Sequence, residues 1–128
     1  MKTLLSYIAI LALIFTSSFT VSQQHQLNQQ EQSSSCFNSF RAHRQGKAGV
    51  SLSWTGSGSD ITQFVVERSY DGEFFENVNI VNFDNSRNYK YHDTGVYSGM
   101  IYYRISAVKA DGSTEYSPVE IVRIVQRG

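Results

Sequence analysis

From Val50 onward the chain alternates apolar and polar residues, and short glycine-bearing breaks interrupt that alternation about every ten residues. Successive side chains of a strand point to opposite faces, so a period of two writes one buried and one wet face. No window carries apolar residues at sustained helical spacing with helix caps. The single proline is Pro118. These observations predict an all-β chain of short antiparallel strands.

The expected strands run in order. Phe37 to His43 is a weak first strand, with Phe37 and Phe40 turned inward. Val50, Leu52 and Trp54 share one face of the second. In Thr62 to Arg68, Phe64 and Val66 face the core, while Gln63 and Glu67 face water. Phe75 to Val81 returns, and Asn88 to Asp93 brings in Tyr89 and Tyr91. Ile101, Tyr103, Ile105 and Ala107 alternate cleanly with Tyr102, Arg104 and Ser106. Tyr116 to Val125 closes the domain in one of two registers, Val119 and Ile121 inward or Val122 and Ile124 inward, with a bulge between them. About seven such strands predict an antiparallel β-sandwich. Trp54, Phe64, Val66, Phe75, Tyr103 and Ile105 are its expected core.

The 128 residues suit one domain, and the first stretch lies outside it. Lys2, the apolar run Leu4 to Phe15, and the small residues from Thr16 to Ser22 have the order of a secretory signal peptide, residues 1–22, cleaved after Ser22. The apolar run is shorter than the about 20 residues a spanning helix needs. Residues 23–36, rich in Gln and Ser, read as a flexible leader before a sandwich over residues 37–126. The expected location is therefore secreted, periplasmic or at the cell surface, with no stable membrane span after cleavage.

Cys36 is the one cysteine, so no internal disulfide can form, and a free thiol or an intermolecular disulfide is expected of it. Eleven basic residues balance eleven acidic ones, interspersed along the chain. No strongly basic face follows, which argues against nucleic acid as a partner.

Several of these residues carry a resemblance. Leu52-Ser53-Trp54 resembles the second strand of a fibronectin type III domain, and Tyr103-Arg104-Ile105-Ser106-Ala107-Val108 resembles its Y-x-V-x-A-V strand. Phe64 to Ser69, then Asp71-Gly72 and Phe75, with Tyr102-Tyr103-Arg104, Asp111-Gly112 and Tyr116-Ser117, is similar to the signature of a bacterial secreted subgroup. The resemblance covers about Phe37 to Ile124. It implies a fibronectin type III, immunoglobulin-like sandwich, life outside the cytoplasm, and a tyrosine at position 103 whose hydroxyl bonds nearby backbone. In that subgroup such modules sit within larger exported proteins.

Chemistry is sparse beside this. His25, His43 and His92 are scattered, and His92 and Asp93, as strand neighbours, point to opposite faces. No nucleophile motif occurs, so a non-catalytic protein without metal or cofactor is expected. Asp71-Gly72 and Asp111-Gly112 read as hairpin turns with positive φ at both central residues, rather than as calcium loops. Glu67 is expected to meet Arg104 across strands at the surface.

Aromatic side chains are the recognition candidates. Of the eight tyrosines, eight phenylalanines and one tryptophan, Tyr70, Phe74, Tyr97 and Tyr102 fall in turns or on outward positions. Exposed rings anchor protein interfaces or stack on sugars. The expected function is contact with a protein or cell-surface partner, with a small carbohydrate-binding protein or a structural, adhesin-like subunit as alternatives.

Overall fold

The computed structural model describes residues 35–125, and all regular structure among them is strand. The expected signal peptide, residues 1–22, and nearly all of the expected leader lie outside the described residues. Eight strands form: β1 (Phe37–Arg44), β2 (Gly49–Gly56), β3 (Ile61–Ser69), β4 (Glu76–Asn82), β5 (Tyr89–Thr94), β6 (Gly99–Lys109), β7 (Thr114–Tyr116) and β8 (Glu120–Ile124). One sheet has the order β1-β2-β5. The other runs β4-β3-β6, with both β7 and β8 on the far edge of β6. Every pairing is antiparallel.

The final run is two strands rather than one. β6 is 11 residues long, so β7 pairs with its Ser106–Val108 end and β8 with its Gly99–Tyr103 end. Between them stands Pro118, which has no N–H to give a ladder. Ser117 bridges the gap, its N–H donating to the Ile105 carbonyl and its Oγ accepting from the Ile105 N–H. Beyond this break Val122 and Ile124 turn inward, leaving Val119 and Ile121 exposed.

Alternation predicts the rest of the interior well. Val50, Leu52, Trp54, Phe64, Val66, Ile101, Tyr103, Ile105 and Ala107 are sealed from solvent, and both sheets contribute to this one core. Trp54 stacks on Tyr89 and meets the edge of Phe64, each with centroids 5.8 Å apart. Such pairs add about 0.5–1.5 kcal/mol each beyond the area they bury. The Trp54 Nε1–H has no hydrogen-bond partner.

Phe75 departs from its expected place. It precedes β4 and is only half-buried, outside the core. There its ring centroid lies 4.1 Å from the Arg104 guanidinium, which is also 4.2 Å from the centroid of the Tyr116 ring. Stacked in this way, Arg104 covers Glu67 and holds it through contacts of 3.3 Å to each carboxylate oxygen. Glu67 therefore faces away from the core as expected, but it is buried rather than wet. The partner is the expected one, and the environment is not.

Candidate functional site

Polar groups dominate the end of the fold where β3 turns into β4. The hairpin loop is built by side chains as much as by backbone. Ser69 is buried, and its Oγ accepts from the Gly72 N–H and donates to Asp71 Oδ1. Asp71 Oδ1 in turn accepts from the N–H groups of Glu73 and Phe74, at 2.8 and 2.9 Å. The Phe74 N–H foremost, then Glu73 and Ser69, holds the Asp71 carboxyl below its ordinary range. Only Gly72 has positive φ (80°), so this is a side-chain-capped turn and not the two-residue turn expected from Asp-Gly. The Asp111-Gly112 turn repeats the pattern: Gly112 alone has positive φ, and Asp111 accepts from the Ser113 hydroxyl and N–H.

Beside this loop opens a cleft of about 430 Å³, lined by residues 68–71 and 74–76. Two of the four predicted recognition rings, Tyr70 and Phe74, line it, and a third, Tyr97, stands against Tyr70. Phe74 is 81% exposed and Tyr97, from the β5–β6 loop, 75%. Tyr70, 39% exposed, sits with its ring 5.7 Å from that of Tyr97. Tyr102 behaves differently. It is half-buried on β6, and a Cβ placed on Gly72 would come 3.2 Å from its ring, so it supports the turn from below.

Beneath Tyr70 lies a network that the sequence reading missed. Arg68 sends one nitrogen to both oxygens of Asp93, at 3.1 and 2.9 Å, and two others to Glu76, at 3.0 and 2.6 Å. Tyr103 Oη donates to Asp93 Oδ2. Its hydroxyl thus bonds a carboxylate on the opposite sheet, where the resemblance implies nearby backbone. Burial foremost, then the Asp93 bond, pushes the Tyr103 phenol well above its usual range. Burial opposes the charge of Arg68, but Glu76 and Asp93 outweigh it and keep the guanidinium firmly protonated.

A signal for this network was present. Arg68 is in phase with Phe64 and Val66, and Asp93 is in phase with Tyr89 and Tyr91, so opposite charges stand at two core-facing positions. Each reads as polar by itself. Together they fit an ion pair inside.

Cys36, expected as a free thiol or in an intermolecular disulfide, is a free thiol buried against the core. Its N–H donates to Glu115 Oε1 at 2.9 Å. Burial foremost, then the hydrogen bond and charge of Glu115, pushes the thiol up to about 11. A disulfide to another chain would require this segment to leave the core.

Among the described residues, no group of three or more His, Cys, Asp or Glu side chains is arranged to hold a metal ion. His92 is exposed while Asp93 is buried, so the two do face opposite ways.

No family model and no curated protein matches the chain. Solved structures do. The chain is similar to part of a family 76 glycoside hydrolase from a bovine Bacteroides thetaiotaomicron strain, with a TM-score of 0.60 and 12% identity over 70% of this chain and 20% of that one. It is also similar to part of a pectate lyase from Pectobacterium carotovorum, at TM-score 0.51 and 16% identity over 66% and 27% of the two chains. A myokine structure matches at TM-score 0.53 and 13% identity, over 72% of this chain and 98% of that one. The chain thus spans about a fifth to a quarter of the two enzymes. At these identities the likeness is one of fold.

Proposed function

We propose that this chain is a non-catalytic, exported fibronectin type III-like module that docks a protein partner through the Tyr70–Phe74–Tyr97 end of its sandwich. The observation that carries this reading is a cleft lined by the exposed rings of Tyr70 and Phe74, with Tyr97, from a second loop, exposed beside Tyr70. Loops on a stable scaffold are where such folds place recognition, and exposed aromatic residues are the usual anchors. The fibronectin type III assignment is supported by the strand order. A β1-β2-β5 sheet opposite β4-β3-β6 is the arrangement that family implies, with β7 and β8 as halves of one interrupted last strand. Trp54 and Tyr103 also occupy the core positions the resemblance implies.

A photo-crosslinking side chain at position 74 or 97 tests the docking surface, with position 113 on the other Asp-Gly turn as control. Discrete adducts in the cell envelope from 74 and 97 but not 113 are expected. An identical pattern at all three positions, or none at 74 and 97, rejects the reading.

Polysaccharide binding is the second reading, favoured by the tilted Tyr70–Tyr97 ring pair, which offers a stacking surface for a sugar. It predicts changes in tyrosine fluorescence on titration with soluble polysaccharides, lost in Tyr97→Ala. A flat response across a broad panel eliminates it.

A further inference from the structure

Resting on the docking reading above, we infer that the partner segment held by this cleft carries a cation, an arginine or lysine side chain inserted beside Phe74 and Tyr70. Charge at the rim argues for it. Asp71 and Glu76 line the cleft, Glu73 lies between Asp71 and Phe74 in the same loop, and the one cation in the lining is Arg68. That guanidinium is already committed, bonded to Glu76 and to both oxygens of Asp93. Among the described residues, neither Asp71 nor Glu73 takes part in a salt bridge. The rim therefore presents uncompensated negative charge beside ring faces that themselves attract cations.

Other occupants fit less well. A purely apolar segment would bury Phe74, but it would strip water from the neighbouring carboxylates and return nothing. An acidic segment would be repelled. A cation meets the ring faces and the carboxylates together.

The molecule contains its own instance of this chemistry. Arg104 lies over the rings of both Phe75 and Tyr116, at 4.1 and 4.2 Å, with both Glu67 oxygens 3.3 Å from its nitrogens. Ring, ring and carboxylate are the same components that Phe74, Tyr70 and Asp71 bring to the cleft. Phe75 belongs to both, lining the cleft and stacking on Arg104.

Four blocked peptides, Gly-Tyr-X-Tyr-X-Gly with X as Arg, Lys, Gln or Glu, test the inference by NMR titration of the protein, read at the Phe74 and Tyr70 ring protons. The Arg and Lys peptides should bind about tenfold more tightly than the Gln peptide, and added salt should narrow that gap. Glu73→Gln should weaken the Arg peptide about threefold and leave the Gln peptide unchanged. Phe74→Ala should abolish the binding of both. Equal affinity for the Arg and Gln peptides, still lost in Phe74→Ala, overturns the cation and leaves the docking surface standing. No response at these rings to any peptide also overturns the inference, and the docking reading then stands or falls on the position-74 crosslinks. Soluble polysaccharide shifting the same rings, with no peptide doing so, overturns both.

Discussion

Tyr103 on β6 donates a 2.8 Å hydrogen bond to Asp93 on β5, so a phenol of one sheet is tied to a carboxylate of the other inside the core. The same Asp93 oxygen accepts from Arg68 at 2.9 Å. Two donors thus depend on one buried carboxylate. Asp93→Ala should cost about 3 kcal/mol, the lower end for breaking a buried pair, because Arg68 keeps Glu76. Tyr103→Phe removes one donor and leaves Asp93 with Arg68, so it should cost about 1 kcal/mol. Urea denaturation of the two variants checks the order. Equal costs would mean that Asp93 does not bridge the sheets.

Alkali probes the same bond. The buried Tyr103 phenol titrates well above an unfolded tyrosine, which loses its proton near about pH 10. Above that pH the unfolded chain sheds a proton that the folded one retains. The stabilisation is therefore fully present below about pH 10 and is lost as pH rises toward the folded value. The advantage of the native protein over Tyr103→Phe should shrink across this range. Parallel unfolding curves at every pH would show that Tyr103 ionises freely.

Gly72 and Gly112 have similar backbones, with φ of 80° and 86°, but different surroundings. Nothing lies within 4 Å of a Cβ built on Gly112, whereas the Tyr102 ring is 3.2 Å from one on Gly72. Gly112→Ala should cost only the left-handed backbone term, about 1 kcal/mol. Gly72→Ala should cost more, and in a Tyr102→Ser background the excess should vanish. Thermal denaturation of the set measures it, and an excess that persists without the ring rules out this contact as its cause.

Cys36 should resist thiol reagents in the folded protein. Its thiol is buried and its pKa is pushed up to about 11, so little thiolate exists near neutral pH. Labelling by iodoacetamide at pH 8 should track global unfolding, accelerating with denaturant. Fast labelling without denaturant would show that the start of β1 opens by itself.

Much of this was legible. Val50, Leu52 and Trp54, and then Ile101, Tyr103, Ile105 and Ala107, are buried where simple alternation puts them. Phe74 and Tyr97 are exposed where turn chemistry puts them. What misled was the assumption that a charge in an alternating strand faces water. Glu67 is covered because Arg104, stacked on Phe75 and Tyr116, lies over it, and those partners come from three other segments. The break of the last strand was visible as Pro118, but its bridging by Ser117 depends on β6 running alongside.

By itself the sequence determined which residues could line a core and where the chain must turn. Those properties follow from the period of a strand and the backbone freedom of glycine, both local. Only the tertiary structure decided that Arg68 and Asp93, 25 residues apart, lie inside as a pair. It also brought the rings of Tyr70 and Tyr97, 27 residues apart, to within 5.7 Å of each other. Neither charge could be buried without the other, and neither ring could find its neighbour until two antiparallel sheets had closed on a common core.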